Sequence, residues 1–135
     1  MELWRKVFEG QIPKENYEML LQNGEKSGLV ITLSSTKYNV FINFGMVSAV
    51  RILDEGIALN ALFDDEQIKD YRKVQFDNTI YQIIDGEFDG FVRKIGGELY
   101  DYLNLKHYIV ISLNFIIEII SELEPDIKII ENEWK

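Results

Sequence analysis

Residues 29–44 of the chain read LVITLSSTKYNVFINF, and this stretch decides the class of fold. Its first five residues are mostly branched and apolar, and the polar segment 34–37 that follows is typical of a turn. In the second half, apolar side chains recur at every second position, which is the pattern of a half-buried strand. These side chains are Tyr38, Val40, Ile42 and Phe44. The stretch therefore predicts a β-hairpin.

A helix is predicted immediately before this hairpin. Pro13 fits the first turn of a helix, and Gly24 fits the position just past its end. Tyr17, Leu20 and Leu21 would then form an apolar side, which such a helix packs against a sheet.

A third strand is predicted after the hairpin. Residues 46–53 resume the β-branched pattern, and Asp54, Glu55 and Gly56 end it as a turn. We expect this strand to extend the hairpin into a three-stranded antiparallel meander. Beyond it, residues 57–63 fit a strand or a loop, and residues 64–71 begin with acids, as a short helix does.

A strand followed by a helix is predicted near residue 85. Residues 79–84 have the composition of a strand, and Asp85 or Gly86 would cap the helix that follows. The apolar side of that helix comprises Phe88, Phe91, Val92, Ile95 and Leu99.

The remaining strands are predicted near the C-terminus. Residues 106–113 and 115–121 are densest in branched and aromatic side chains, so we expect the most buried strands there, with Asn114 in the turn between them. A short strand at Ile127–Ile130 follows. Together these elements predict a single α+β domain over residues 1–135, with an antiparallel sheet of about six strands and two or three helices packed on it.

The composition narrows the classes of function. The 135 residues include no cysteine and one histidine, which removes disulfide frameworks, thiolate metal sites and cysteine nucleophiles. The net charge is −9, with +1 carried by residues 1–53 and −10 by residues 54–135. Because such a surface repels phosphate backbones and attracts cations, we expect a basic protein partner and no nucleic acid.

The location of the protein is inferred from its apolar segments. The N-terminal residues mix charged and apolar side chains and lead into no apolar run of signal-peptide length. The longest apolar stretch, residues 108–120, is too short to cross a bilayer and contains Asn114 and Glu118. We therefore expect a cytoplasmic protein with no membrane partner.

Two features resemble reactive or metal-binding sites, and neither is complete. His107 begins a predicted strand, where we expect one ring nitrogen to bond to backbone or to a carboxylate, and no serine has the surroundings of a nucleophile elbow. Residues 85–90 place acids and a glycine as a calcium loop does, but Gly96 stands where that loop needs a glutamate. We expect a non-enzymatic protein with no catalytic residue, cofactor or metal.

Two groups of acids are candidate partner-binding faces. The first group comprises Glu118, Glu122, Glu124 and Asp126, and the second comprises Asp54, Glu55, Asp64, Asp65 and Glu66. Like charges gathered in this way favour a partner of opposite charge. A merely solvated surface is the alternative interpretation for each group.

The chain also resembles a known class of proteins. The features that carry this resemblance are an Ile-Tyr strand, the acidic cap before Phe88, Leu105-Lys106-His107-Tyr108, Asn114, Glu118-Ile119-Ile120 and Pro125-Asp126-Ile127. In size, charge and residue pattern the whole chain resembles the small acidic immunity proteins that accompany polymorphic or contact-dependent toxins in bacteria. The resemblance implies an acidic surface that blocks the basic cleft of a toxin domain and excludes its nucleic-acid substrate.

Two other functions are open on the sequence alone. A strand such as Ile127–Ile130 can pair with its own copy, which would make the chain a homodimeric structural or regulatory module. The other alternative is a small-ligand-binding domain. A neighbouring gene for a large secreted protein with a variable C-terminal toxin region would favour immunity, and a solitary gene would favour the module.

Overall fold

The computed structural model describes residues 3–54, 78–101 and 103–132. Within these ranges the chain forms nine strands, a ten-residue helix and a four-residue helical turn. In chain order they are β1 (Leu3–Lys6), β2 (Glu18–Gly24), β3 (Gly28–Ser34), β4 (Tyr38–Gly45), β5 (Ala49–Asp54), β6 (Ile80–Ile84), α1 (Glu87–Gly96), α2 (Glu98–Asp101), β7 (Lys106–Ile111), β8 (Phe115–Ser121) and β9 (Asp126–Glu131). Across the same ranges, no helix is long and apolar enough to cross a membrane.

The strands form two antiparallel sheets. The five-stranded sheet has the order β1-β6-β7-β8-β5, and the four-stranded sheet has the order β2-β3-β4-β9. The prediction of an α+β fold with about six strands and two or three helices is therefore wrong. The described part of the chain is mostly β, with nine strands and only one short helix of more than one turn.

The two sheets pack face to face around a shared apolar core. The four-stranded sheet contributes Met19, Leu29, Ile31, Leu33, Val40, Ile42 and Phe44, and the five-stranded sheet contributes Ile80, Tyr108, Val110, Ile117 and Ile119. The alternation predicted in the second strand of the hairpin is confirmed, because Val40, Ile42 and Phe44 are buried while Asn43 is exposed. Removal of this apolar surface from water is the main favourable term in the folding of such a core.

The five-stranded sheet is buried on its outer face as well. A second cluster there comprises Trp4, Tyr81, Ile83, Ile109 and Ile116, and a third joins Ile120 to Phe88, Val92 and Tyr100 from the helical segment. Burial on both faces explains why β7 and β8 are apolar almost without interruption. The prediction that these are the most buried strands is confirmed.

Residues 13–24 do not form the predicted helix. The second half of this segment is β2, which pairs with β3 from Glu18 opposite Ser34 to Gly24 opposite Gly28. Met19 is buried whereas Leu20 is 68% exposed, so burial follows the period of a strand. Tyr17, Leu20 and Leu21 fit the helical period, whereas Tyr17, Met19 and Leu21 fit the strand period. Pairing with β3 decides between the two.

The predicted three-stranded meander also needs correction. β5 does not continue the hairpin of β3 and β4, because it lies in the other sheet and pairs with β8. The chain leaves the four-stranded sheet at Gly45, whose φ of +69° is accessible chiefly to glycine. The successive strands are instead β2, β3 and β4, and β9 is the second neighbour of β4.

The other predicted elements are found close to their expected positions. β6, α1, β7, β8 and β9 correspond to the strands and the helix predicted between residue 79 and residue 130. α1 follows Gly86 and ends before Gly97 at φ +55°. The predictions for residues 57–63 and 64–71 lie outside the described residues.

Candidate functional site

Glu118 occupies a buried ion network and not the protein surface. Its side chain is 1% exposed, in the middle of the apolar strand β8. Glu118 Oε2 accepts a hydrogen bond from Arg51 Nε at 2.5 Å, and Glu118 Oε1 lies 2.8 Å from His107 Nε2. The prediction that a ring nitrogen of His107 bonds to a carboxylate is confirmed.

The strand register brings these three residues together. Arg51 of β5 lies directly opposite Glu118. On the other side of β8, Glu118 lies opposite Ile109, and His107 is two residues away on the same face of β7. Direct and diagonal cross-strand neighbours on one face are within reach of long side chains.

The start of α1 covers this network from outside the sheet. The Phe88 ring lies with its edge toward His107, at 5.9 Å between centroids, and Arg51 Cζ lies 5.1 Å from the same ring. A Cβ atom on Gly86 would lie 2.6 Å from His107 Nδ1, so only a glycine fits there. His107 Nδ1 is buried and has no hydrogen-bond partner within the described ranges.

The network has the properties of an internal structural ion pair. Arg51 is 23% exposed, while Glu118 and His107 are almost completely enclosed, so the carboxylate meets its own cation and imidazole instead of a solute. A buried carboxylate needs such partners because the loss of hydration is costly. No group of three or more histidine or acidic side chains with the spacing of a metal site occurs among the described residues.

The other acids of the first group lie together on the surface. Glu122, Glu124 and Asp126 are exposed, on the segment that carries the chain from β8 in one sheet to β9 in the other. We call these three residues the acidic crossover. Burial, and secondarily the charge of Glu124, raise the pKa of Tyr108 to about 12.

A second connection runs between the sheets beside the acidic crossover. β4 pairs with β9 and β5 pairs with β8, so the connection from β4 to β5 spans the same gap as the connection from β8 to β9. Asn43 lies opposite Asp126 in one sheet, and Ala49 lies opposite Ile120 in the other. Ala49 is six residues after Asn43, and Ile120 is six residues before Asp126. The register is therefore the same on both sides of the gap.

Asp54, the one described member of the second predicted group of acids, does not lie next to the first group. Asp54 is exposed at the end of β5, where it lies opposite Phe115 at the start of β8. The acidic crossover begins after Ser121, at the other end of β8, about 20 Å away for a seven-residue strand. Glu55, Asp64, Asp65 and Glu66 lie outside the described residues.

Comparison with protein-family models, curated proteins and solved structures finds no match for this chain. The charges and side chains exposed on the surface are therefore the features that bear on function. Sequence reasoning missed that Glu118 is internal, although one signal was present: it is the only charged residue in the apolar run from Phe115 to Ile120. A lone charge in a strand buried on both faces is an internal charge that needs a partner.

Proposed function

We propose that the chain is a cytoplasmic, non-enzymatic binding protein that neutralises a basic protein, of the kind found in bacterial toxin domains. The observation that carries the proposal is the acidic crossover, where Glu122, Glu124 and Asp126 are all exposed on one short connection. Residues 121–126 include no lysine or arginine.

The charge of this surface suits a cationic partner. Three carboxylates within five residues, on a chain of net charge −9, attract a basic protein over several ångströms and repel phosphate backbones. A toxin that binds nucleic acid must present a cationic cleft to its substrate. An acidic surface placed over that cleft would exclude the substrate, which is how neutralisation would occur without catalysis by this chain.

The proposal is tested by co-expression of the tagged chain with the product of the adjacent gene, followed by co-purification. We expect the two proteins to co-purify, and we expect Glu122→Lys/Glu124→Lys/Asp126→Lys to abolish the complex. The control variant Glu9→Lys/Glu18→Lys/Glu131→Lys changes the net charge equally, at exposed positions outside the crossover. A further variant reverses the second group: Asp54, Glu55, Asp64, Asp65 and Glu66.

The outcomes separate the two acidic groups from each other. Loss of the complex on reversal of the second group alone would assign the interface to that group of residues. If the complex survives all the reversals, the acids form only a solvated surface, and their charge does not support a basic partner.

Self-association is the second candidate function, and the position of β9 favours it. β9 lies at the edge of the four-stranded sheet and exposes Ile129 and Ile130. An apolar edge strand is a template for pairing with a second copy. Sedimentation velocity of the purified chain tests this: a dimer that Ile130→Lys disperses would support the module, and a monomer at all concentrations would exclude it.

A further inference from the structure

We infer that the exposed apolar pair Met46 and Leu123 anchors the interface by entering an apolar pocket bordered by lysine and arginine on the basic protein. This inference rests on the proposed function and names the chemistry of the partner's surface. It concerns the two side-by-side connections between the sheets, which we call the corner (residues 44–48 and 121–125).

Met46 and Leu123 each lie near the middle of one of the two connections. Met46 is three residues past Asn43, and Leu123 is three residues before Asp126, which is the partner of Asn43. Met46 is 69% exposed and Leu123 is 62% exposed. Each connection therefore carries one exposed apolar side chain, three residues along the chain from the Asn43–Asp126 pair. Large exposed apolar groups that lie together and are rimmed by polar residues are typical of protein interaction sites.

The corner holds these two side chains on a fixed backbone. Ser121 is fully buried, and its Oγ accepts a hydrogen bond from the Leu123 N–H at 3.2 Å and donates one to the Leu123 carbonyl at 3.1 Å. On the other connection, Asn43 Oδ1 accepts a hydrogen bond from the Gly45 N–H at 2.8 Å. A surface ordered before binding loses less entropy when the partner docks.

The flanks of the two connections are buried and fix the corner to the core. Phe44 precedes Met46 and Pro125 follows Leu123, and both are buried. The Ser48 N–H donates to the Ile120 carbonyl at 2.8 Å, which ties the first connection to the end of β8. Buried flanking residues and this hydrogen bond therefore hold both connections against the sheets.

The charges around the pair determine which class of partner fits. Glu122 and Glu124 lie on either side of Leu123, and Asp126 begins the next strand. A second copy of this chain or a nucleic acid would bring further negative charge to the corner, and like charges brought together weaken association. A cationic protein would pair its lysines and arginines with the acids while the apolar pair loses contact with water. Methionine is well suited to such a contact because its flexible side chain adapts to irregular pockets.

Dissociation kinetics test the inference, with the purified product of the adjacent gene as the probe. We expect Met46→Ser/Leu123→Ser to dissociate roughly tenfold to hundredfold faster than the wild type, with little change in the association rate. Leu113→Ser is the matched control, because Leu113 is 65% exposed at the opposite end of β8 and should leave dissociation unchanged. Ser121→Ala leaves the exposed side chains intact and should give a smaller increase. Unchanged urea midpoints would show that the surface variants remain folded.

The results distinguish failure of the Met46 and Leu123 anchor from failure of the proposed binding function. If the wild type binds the probe and the double variant dissociates at the wild-type rate, the anchor is disproved while the binding function stands. If the wild type does not bind the probe, both fail. Binding of a single-stranded oligonucleotide at the corner, or a dimer of this chain that the double variant disperses, would overturn the assignment to a basic protein.

Discussion

At the scale of single residues, we expect substitutions in the buried ion network around Glu118 to affect stability most. Arg51, Glu118 and His107 place two ionic groups and an imidazole inside an apolar sheet, under the first turn of α1. The Glu118 carboxylate is acceptable there because Arg51 and His107 each bond one of its oxygens. Removal of one partner should cost far more than removal of an exposed acid of the same type.

Glu118→Ala should destabilise the protein by about 3 kcal/mol, because it leaves Arg51 and His107 without their shared acceptor. Glu122→Ala removes an exposed carboxylate nearby and should change the free energy of unfolding by less than about 0.5 kcal/mol. Urea denaturation followed by circular dichroism measures both. Equal effects of the two substitutions would contradict the buried network.

Gly86→Ala should destabilise the protein by about 1–3 kcal/mol, since its Cβ would overlap the imidazole of His107. The backbone of Gly86, at φ −77° and ψ 153°, suits alanine, so the cost comes from this contact and from Ile83 Cγ2, which the Cβ would approach to 2.7 Å. In a His107→Ala background the same substitution should cost roughly 1 kcal/mol less. Equal costs in both backgrounds, from chemical denaturation, would mean that the two residues do not touch.

At the scale of elements, a strand could be predicted where its apolar residues fit the strand period alone, and not where they fit the helical period as well. The hairpin of β3 and β4 was predictable because strict alternation excludes a helix. β2 was not, because Tyr17, Leu20 and Leu21 match a helical side while Tyr17, Met19 and Leu21 match a strand. The pairing of β5 with β8 could not be predicted from the sequence, since a chain that breaks at a glycine such as Gly45 can either continue the same sheet or enter another one.

Two lysine substitutions distinguish a strand from a helix at residues 18–24. Met19→Lys should cost about 3 kcal/mol or more, because it puts a charge into the core between the sheets. Leu20→Lys should be nearly neutral, since this side chain faces solvent on an edge strand, where lysine is common. Thermal unfolding measures both. A larger effect of Leu20→Lys than of Met19→Lys would indicate a helix at residues 18–24.

At the scale of the whole molecule, the connection from β8 in one sheet to β9 in the other carries three exposed acids. The sequence predicted that negative charge belongs to the second part of the chain and that Glu122, Glu124 and Asp126 lie close together. It did not predict that Glu118 is internal, or that Asp54 lies at the other end of β8, because both depend on which strands pair. Met46 was not singled out, since the position of its connection beside the one that carries Leu123 appears only with the strand pairing.

Alkaline pH should destabilise the whole fold. Burial, as the first cause, raises the pKa values of Tyr17, Tyr100 and Tyr108 from 10.0 to about 12. A folded-state pKa above the unfolded value favours the protonated phenol in the native protein. The stabilisation is therefore complete below pH 10 and is lost as the pH rises from 10 toward 12.

The measurement is the free energy of unfolding across this range, with the ultraviolet absorbance of tyrosinate recorded in parallel. Tyr108→Phe should reduce the slope of stability against pH, because phenylalanine has no proton to lose. A stability that is constant between pH 10 and pH 12 would contradict the raised pKa values.

The salt dependence of the association rate tests the central claim most directly, which is that the acidic crossover attracts a basic protein. With the adjacent gene product as partner, we predict an association rate that falls by roughly tenfold or more between about 0.01 M and about 1 M salt, as the Debye length shrinks from roughly 30 Å to roughly 3 Å. Glu122→Lys/Glu124→Lys/Asp126→Lys should remove most of that dependence, and Glu9→Lys/Glu18→Lys/Glu131→Lys should retain more of it. A wild-type rate that is independent of salt, or an equal loss in both variants, would contradict the claim.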